Sequence, residues 1–352
     1  MTQGHGHGHG HGHGHGHGHG HGGGFGAVVP ELTSGPMTLQ FYLGLNAPAG
    51  HPSSWPLQML DPAAQPGPWP PDWDGALYSL FAFSEFVEKT NWREFPAALA
   101  RDYALAKERA IVEGRTIEKD SLGWRDSADP QAFIKGEIET LKQYMMQDRE
   151  RYLGEIIEQH DGAPGYWVAL LGLTRTRTPW TMRVLSFASR VGELVAMGSK
   201  LTYKRARPSQ IAPGLMPPFG PPAHPAFPSG HATQSYLIAS CLAAVTRQAQ
   251  LVPLAGGSDP LASPYRAQLF WLANRLSKNR EIGGFHYPSD SAAGEYLAQR
   301  SFREIAGLLE KAVPLSKAEI DELPAKPVTD FAEGSIAELF AAANKEWHLP
   351  RP

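Results

Sequence analysis

The amino-acid sequence predicts an all-α protein, a helical bundle in a single domain. Apolar residues recur at helical spacing from Leu77 onward, whereas the alternation of Val, Ile and Thr that is typical of strands is nearly absent. The chain has 352 residues, of which 42% are hydrophobic, so it can bury a sizeable core. Gly- and Pro-rich loops between 205 and 230 and at 252–262 separate the helical patterns. These observations favour helices packed around one core.

The first 75 residues divide into two segments that we place outside the bundle. Residues 1–24 contain a Gly-His repeat, which forms no packed core because glycine has no side chain to bury. We interpret this segment as a disordered affinity tag. Residues 25–75 are rich in proline and glycine and predict an irregular arm, so we expect the helical domain at 76–350.

Within this domain the apolar spacing predicts the helices one by one. Apolar faces around Phe86 and Phe95 indicate the first of them. Asp129-Pro130 begins a helix that is expected to run to His160, with charged residues such as Glu137 on a solvated face. Further helices are predicted at 164–175, 178–203, 231–249, 263–280, 289–312 and 330–345.

Composition argues against several classes of protein. The formal net charge of −3 gives no support for nucleic-acid binding, which usually shows a basic domain. No segment reaches the ~18 apolar residues of a membrane-spanning helix, so we expect a soluble protein. Its compartment stays open between periplasmic, secreted and cytoplasmic. The single cysteine, Cys241, rules out an intramolecular disulfide and lies in an apolar run typical of an inert core thiol.

Three short segments place cations or histidines beside predicted helix ends. Each alone has an ordinary explanation, as surface cations at a helix C-terminus, as a turn and cap, or as a surface ion pair. Their occurrence together, in this order, favours one shared site. The segments are Lys200-x6-Arg207-Pro208, Pro228-Ser229-Gly230-His231 and Arg280-x5-His286-x3-Asp290.

These segments resemble the signature of the superfamily that joins type-2 phosphatidic acid phosphatases, bacterial class A acid phosphatases and vanadium-dependent haloperoxidases. That signature is Lys-x6-Arg-Pro, then Pro-Ser-Gly-His, then Ser-Arg-x5-His-x3-Asp, and it spans Lys200 to Asp290 here. One position departs from it, because Asn279 stands where the signature has serine. The resemblance implies that the domain at 76–350 is catalytic, has the bundle fold of this superfamily, and carries an oxyanion pocket between 200 and 290.

The implied pocket holds a tetrahedral oxyanion, either phosphate or vanadate. Guanidinium groups, an ammonium and the N–H groups at a helix start all favour such an anion. Glycine at the helix start lets the main chain approach an oxygen without a Cβ in the way. The residues expected to bind the oxyanion are Lys200, Arg207, Ser229, Gly230, His231 and Arg280.

Two histidines and one carboxylate are expected to carry the reaction. By the resemblance, His286 is either the nucleophile of a phosphatase, giving a phosphohistidine, or the sole protein ligand to vanadium in a haloperoxidase. Asp290 is expected to hold the other ring nitrogen of His286, and it also fits a charge in the first turn of a helix. His231 is expected to be the acid–base group, protonating a leaving alkoxide or activating bound peroxide.

Neighbouring residues allow two interpretations each. We expect Lys204 and Arg205 to be solvated loop cations, with a wider anion field at the pocket mouth as the alternative. His224 is expected to be an ordinary loop residue, and a place at the pocket entrance is its alternative. Phe219 and Phe227 are expected to be packing residues, with an apolar wall beside the oxyanion as the alternative.

The signature leaves two chemistries open, because bound vanadate mimics the five-coordinate transition state of phosphate displacement. We favour a vanadium-dependent haloperoxidase with vanadate as cofactor, and with hydrogen peroxide, halide and an organic acceptor as substrates. The run from Pro225 to Gln234 is similar to the Pro-Ala-Tyr-Pro-Ser-Gly-His-Ala-Thr run of haloperoxidases. The helical sequence before Lys200 is also longer than in the compact acid phosphatases.

Two other hypotheses remain at this point. The segment from Phe285 to Asp290 also looks like phosphatase relatives, which favours a soluble acid phosphatase acting on a phosphomonoester without a cofactor. The third hypothesis is a non-catalytic oxyanion-binding protein, but two opposed histidines exceed what anion capture needs. Long helices often pair, so a homodimer is a possible assembly.

Overall fold

The computed structural model describes residues 75–101, 122–246, 263–312, 332 and 334–348. Within these ranges the regular secondary structure is helical throughout, which confirms the predicted all-α class. The predicted tag at 1–24, the arm at 25–75 apart from Gly75, and the loop at 252–262 lie outside the described residues.

The helices follow one another with short connections in the described ranges. Residues 95–101 form a further helical segment, and short 3-10 turns lie at Trp92–Glu94 and Pro213–Leu215. The α-helices are α1 (Gly75–Lys89), α2 (Gly123–Asp126), α3 (Pro130–Gln147), α4 (Arg149–Leu171), α5 (Pro179–Tyr203), α6 (Pro208–Ile211), α7 (Gly230–Val245), α8 (Arg266–Ile282), α9 (Pro288–Ala312) and α10 (Ile336–His348).

The single helix predicted from Pro130 to His160 is wrong, because the chain forms two helices there. α3 begins at Pro130, where the Asp129 side chain accepts a hydrogen bond from the backbone N–H of Ala132. Asp148 separates α3 from α4. Apolar spacing continues across the break and does not reveal it.

The break allows Arg149, the first residue of α4, to bury its guanidinium group. Its Nε donates to the carbonyl oxygen of Ile282 at 2.8 Å, and its Nη1 donates to the carbonyl oxygen of Leu215 at 2.6 Å. These bonds connect α4 to the end of α8 and to the loop after α6. α4 then continues through Pro164 to Leu171, so the helix predicted at 164–175 is its C-terminal part.

α7 is the central helix of the bundle. All of its residues except Gly230 and Ala244 are buried, and it packs mainly against α5, α8 and α9. The neighbouring helices approach it closely, since a Cβ at Gly294 of α9 would lie 2.7 Å from the carbonyl oxygen of Ser229. The N-terminus of α7, which carries the Ser-Gly-His segment, is therefore held inside the bundle.

Two further sequence predictions concern apolar character. Cys241 of α7 is a buried free thiol, as predicted, and burial raises its pKa, which keeps it in the unreactive protonated form. Among the helices described, none combines the length and the apolar character that crossing a bilayer requires.

Candidate oxyanion site

The three sequence segments meet at one cavity in the bundle. The N-terminus of α7, the end of α8 and the loop before α9 all contribute to it. The cavity volume that is open to the centres of water-sized spheres is about 30 Å³. One water requires only ~10–15 Å³ by this measure. Six of its lining residues carry polar groups relevant to an anion: Arg207, His224, Gly230, His231, Arg280 and His286.

His286 is oriented by partners on both ring nitrogens. Its Nδ1 lies 3.1 Å from Oδ2 of Asp290, and its Nε2 lies 3.0 Å from Nη1 of Arg207. Because a guanidinium group only donates, Nε2 must accept, so the ring proton sits on Nδ1 and is donated to Asp290. This assignment leaves Nε2 as the basic nitrogen, the one suited to attack an electrophile or to ligate a metal.

The Asp290 carboxylate is fully buried and stays ionised. Although burial alone would raise its pKa, Arg205 and the hydrogen bond from His286 lower the pKa of Asp290 to about 2. The backbone N–H of Tyr287 also donates to Oδ2, at 3.0 Å. Asp290 lies in the first turn of α9, so it takes both of the roles that the sequence allows, helix charge and partner of His286.

Arg207 lies between two histidines. Its Nη2 is 3.0 Å from Nδ1 of His224, and its Nη1 also donates to the carbonyl oxygen of Phe285 at 2.9 Å. Burial lowers the pKa of Arg207 to about 10, which leaves the group charged at neutral pH. The charge of Arg207, after burial itself, holds the pKa of His286 well below its ordinary value and so keeps Nε2 unprotonated.

Arg280 approaches the cavity from the end of α8. Its Nη2 donates to the carbonyl oxygen of Ile156 at 2.7 Å and to Oε1 of Gln159 at 3.3 Å. Its Nε is buried and has no hydrogen-bond partner among the described residues. Burial lowers the pKa of Arg280 to about 9. A buried N–H without an acceptor is costly, and an anion in the cavity is a suitable acceptor for it.

His231 lines the same cavity from the first turn of α7. Its Nε2 lies 3.1 Å from the carbonyl oxygen of Gln159, and because a carbonyl only accepts, Nε2 carries the proton and Nδ1 is the basic nitrogen. Burial, and then the charge of Arg280, hold the pKa of His231 well below its usual value. Gln159 thus contacts both His231 and Arg280, and sequence spacing gave no signal for it.

Gly230 and Ser229 contribute differently to the site. Gly230 begins α7 and lines the cavity, as expected for a backbone N–H donor. Ser229 is fully buried and caps α7, accepting at Oγ from the backbone N–H of Ala232 at 3.3 Å. In the part of the chain that the structure describes, Ser229 is not one of the lining residues, so its expected contact with the oxyanion stays a prediction.

We expect Gly230→Ala to weaken oxyanion binding without harming the fold. A Cβ at Gly230 meets no heavy atom within 4 Å, and alanine favours a helix more than glycine does. The added methyl group would enter the space available to the anion, and we expect vanadate to bind about tenfold more weakly. Equilibrium dialysis measures the affinity and thermal unfolding measures the stability.

Gly294→Ala is the contrasting control for this substitution. Its Cβ would lie 2.7 Å from both the Cβ of Ala232 and the carbonyl oxygen of Ser229, so it should lower the melting temperature. Unchanged vanadate affinity in Gly230→Ala would contradict the role assigned to Gly230.

Lys200 is held by loop carbonyls in this structure, so its expected contact with the oxyanion stays a prediction. Its Nζ donates to the carbonyl oxygens of Pro225 at 2.7 Å, Ala226 at 2.9 Å and Pro228 at 2.6 Å, which uses all three N–H groups of an ammonium. It is 1% exposed, and among the described residues it is not part of the cavity lining. In this structure Lys200 fixes the loop that leads into Ser229.

Arg205 is a buried residue of the site, so its interpretation as a solvated loop cation is wrong. It is 5% exposed, and its Nη1 donates to Oδ1 of Asp290 at 2.7 Å while its Nη2 donates to Oε2 of Glu137 at 2.6 Å. The guanidinium group also lies over the ring of Tyr287, 3.7 Å from the centroid. Lys204, by contrast, is exposed as expected.

Glu137 is likewise buried, which corrects its placement on a solvated face of α3. It is 8% exposed, pairs with Arg205, and accepts at Oε1 from the backbone N–H of Ser289 at 2.8 Å. Burial raises the pKa of Glu137, while the Arg205 charge opposes that change. A buried chain of contacts therefore runs from Glu137 through Arg205 and Asp290 to His286.

Asn279 occupies the position where the superfamily signature has serine. Its Nδ2 donates to Oε2 of Glu155 at 2.9 Å and to Oε1 of Gln159 at 3.0 Å. Because Gln159 also accepts from Arg280, Asn279 helps to hold the contact between α4 and α8 that positions Arg280. Asn279 therefore supports Arg280 through Gln159.

His224 and Phe219 both line the cavity, which is the alternative that the sequence left open for them. Phe219 stacks between the rings of His160, at 4.3 Å, and Phe285, at 4.4 Å between centroids, and so forms an aromatic wall. Phe227 is fully buried against Tyr203 and Trp124 instead, which fits simple packing.

We expect the free energy of unfolding to fall as the pH drops below about 6.5. Burial depresses the pKa of His224 to about 4, and those of His231 and His286 well below their usual value, whereas all three titrate near pH ~6.5 in an unfolded chain. The unfolded chain then binds more protons, so stability is full above pH ~6.5 and is lost on acidification through this window. Each histidine contributes up to about 1.4 kcal/mol per pH unit.

Urea unfolding at several pH values between about 7.5 and 5 measures this dependence. His224→Asn removes one of the three histidines whose pKa is depressed and should reduce the slope. A stability that stays constant over this range would contradict the placement of neutral histidines in the cavity.

The residues of the cavity fit an anion rather than a bare metal cation. Neither Arg207 nor Arg280 forms an ion pair with a carboxylate among the described residues, although both are 2% exposed. Within the same ranges, no group of three or more His, Cys, Asp or Glu side chains is placed to hold a metal ion. Two buried guanidinium groups and one basic imidazole nitrogen line this cavity together, and such a set fits vanadate or phosphate.

No protein-family model matches this chain, and no curated protein matches it either. The function is therefore inferred from the geometry of the site and from the motifs.

Proposed function

We propose that this protein binds a tetrahedral oxyanion on His286 and is a vanadium-dependent haloperoxidase with the helical-bundle fold of the phosphatidic acid phosphatase superfamily. The observation that carries the proposal is a basic His286 Nε2, 3.0 Å from Arg207 Nη1, in a cavity that Arg280 also lines. Neither buried guanidinium group has a carboxylate partner among the described residues. Such an arrangement leaves positive charge that a bound anion neutralises.

Vanadate would be held by this chain's cations and by one nitrogen. His286 Nε2 is the candidate ligand to vanadium, and Arg207, Arg280 and the N–H of Gly230 are the candidate partners of its oxygens. When bound, vanadate supplies the centre at which hydrogen peroxide oxidises a halide. The proposed ligation requires Arg207 Nη1, now 3.0 Å from Nε2, to turn from the imidazole to the anion.

The remaining groups bind, orient and transfer protons. Asp290 keeps the proton of His286 on Nδ1 and so keeps Nε2 available. His231, whose Nδ1 is basic, is the candidate to accept a proton from incoming peroxide. The aromatic wall of Phe219, Phe285 and His160 limits access of water to the cavity.

The cavity has room for a small anion, because the volume that water-sized centres reach is about 30 Å³. Hydrogen peroxide and halide would add few atoms to such an anion.

An acid phosphatase is the second candidate, because the orientation of His286 also suits a nucleophile. Nε2 would attack phosphorus, the ester oxygen would leave with a proton from His231, and water would then hydrolyse the N–P bond of the phosphohistidine. His231 would have to carry an extra proton for this reaction. Burial and Arg280 disfavour that protonated form, since they lower the pKa of His231.

A pair of assays on one preparation separates the two candidates. The vanadate-loaded protein should brominate a phenol indicator when it is given hydrogen peroxide and bromide, and the vanadate-free protein should not. If the vanadate-free protein instead hydrolyses p-nitrophenyl phosphate and vanadate only inhibits it, the phosphatase is correct. If both assays stay blank although vanadate binds, the protein is an oxyanion-binding protein and the proposed enzyme is wrong.

A further inference from the structure

A second cavity lies between α7, α8 and α9, and it shares no lining residue with the oxyanion site among the described residues. The centre of a water-sized sphere reaches about 210 Å³ of it, several times the volume in the first cavity. Seven of the eight described residues that line it carry polar groups. Helical bundles commonly have ligand sites between their helices. The charges that line this cavity indicate which class of ligand it would bind.

The charges of this cavity sum to one negative charge. Glu281 of α8 and Glu295 of α9 supply two carboxylates, and Lys278 supplies one ammonium. Glu281 is 2% exposed and accepts from Nζ of Lys278 at 2.9 Å. Lys278 also donates to the hydroxyl of Tyr144, so its ammonium group already has two hydrogen-bond partners.

The hydroxyl-bearing side chain of Tyr236 lines the same cavity as the two carboxylates. Burial, and then the charges of Glu295 and Glu281, raise the pKa of Tyr236. Because Tyr236 is on α7 and the glutamates are on α8 and α9, three helices bring negative charge and hydroxyl oxygens to one space. Such a cavity attracts a cation with hydrogen-bond donors.

A buried hydroxyl in this cavity has no hydrogen-bond partner in the part of the chain that the structure describes. Ser291 of α9 is 4% exposed and lines the cavity, and its Oγ bonds to none of the described residues. A buried hydroxyl without a partner costs free energy that a ligand donor or acceptor recovers. This observation points to a ligand independently of the two carboxylates.

The donor set suits an organic ammonium better than a metal ion. Hard cations prefer carboxylates, carbonyls and water, and they need close contact at about 2.0–2.6 Å. This cavity offers two carboxylates on different helices, hydroxyls from Ser277, Ser291 and Tyr236, and more room than a bare ion fills. Hydroxyls and carboxylates together match the N–H groups of an ammonium and a neighbouring hydroxyl.

We propose that the cavity between α7, α8 and α9 binds a small primary ammonium ion, with Glu295 and Glu281 pairing with its charge and Ser291 bonding to its polar end. Glu295 is half-buried near the surface and Glu281 is the deeper carboxylate. The ligand binds non-covalently. The site is independent of the proposed oxyanion chemistry.

Isothermal titration calorimetry of the full chain tests this site with ethanolamine, which is a cation at neutral pH, and with ethylene glycol, its uncharged analogue. Ethanolamine should bind and ethylene glycol should not. Glu295→Gln keeps the shape but removes a charge, and we expect it to weaken ethanolamine binding about tenfold or more. Ser291→Ala should weaken binding by a smaller factor without removing charge.

Two controls separate the outcomes. Glu94→Gln, at an exposed glutamate of the first 3-10 turn, should bind ethanolamine as the wild type does. His286→Ala, which changes the other cavity, should also bind ethanolamine normally. Ethanolamine binding therefore tests this site separately from the oxyanion proposal. Equal binding of both probes, unchanged affinity in Glu295→Gln, or binding of Mg²⁺ or Ca²⁺ without ethanolamine would overturn the proposal.

Discussion

Replacing His286 with alanine should abolish both bromide oxidation and phosphate-ester hydrolysis. His286 Nε2 is the basic nitrogen in a cavity whose cations lie around it, and its Nδ1 is held by Asp290 at 3.1 Å. Loss of a covalent catalyst of this kind costs on the order of 10⁴-fold or more in rate. We expect the residual activity of His286→Ala to be indistinguishable from background in the two assays.

The loss in His286→Ala must be separated from misfolding. His348→Ala is the matched control, because His348 ends α10, a helix that contributes no lining residue to the cavity among the described residues. It should retain full activity. Added imidazole, which fills the space of the missing ring, should restore part of the activity of His286→Ala. Full activity of His286→Ala without imidazole would contradict the assignment of the site.

Replacing Arg205 with methionine should cause the largest loss of stability. Arg205 pairs with Asp290 at 2.7 Å and with Glu137 at 2.6 Å, and its side chain is 4% exposed. Its removal leaves two buried carboxylates without a cation, and breaking a buried pair typically costs about 3–5 kcal/mol. Urea unfolding measures this free energy. Activity should also fall, since Asp290 then protonates more readily and holds the His286 ring less firmly.

A second variant distinguishes this charge effect from lost packing. Glu137→Gln removes one of the two carboxylates, so the double variant Arg205→Met/Glu137→Gln should be less destabilised than the sum of the single variants. Arg125→Met is the surface control, because its ion pair with Asp126 is about half exposed and should contribute about 1 kcal/mol or less. Strict additivity in the double variant would contradict the proposed coupling of Glu137, Arg205 and Asp290.

The motif residues are largely brought together as their sequence order predicts. His286 lies just before α9 and Asp290 lies in its first turn, and at this spacing of four residues their side chains meet. Helix spacing also predicts α5 well, from 178–203 in the sequence to Pro179–Tyr203 in the structure. Local spacing is informative in these cases because each contact lies within one turn or one helix.

Long-range partners were harder to predict, because no local pattern encodes which carbonyl or carboxylate a cation meets. Lys200 stands at the end of α5, and its spacing from Arg207 does not indicate that its ammonium bonds three loop carbonyls. Arg205 meets Glu137, 68 positions away in the chain.

The sequence does contain one signal for the contact between Arg205 and Glu137. Glu137 lies three residues after Ile134 and four before Leu141, on the apolar stripe of α3, where a carboxylate requires a buried partner.

Equilibrium dialysis of vanadate against the protein, with phosphate as competitor, tests the central claim that this cavity holds a tetrahedral oxyanion. We predict one vanadate per chain, displaced by phosphate. Binding should weaken at least about tenfold in Arg280→Met, because Arg280 is buried and its Nε has no partner within the described ranges. Binding that is absent in the wild type, or unchanged in both Arg280→Met and His286→Ala, would contradict the claim.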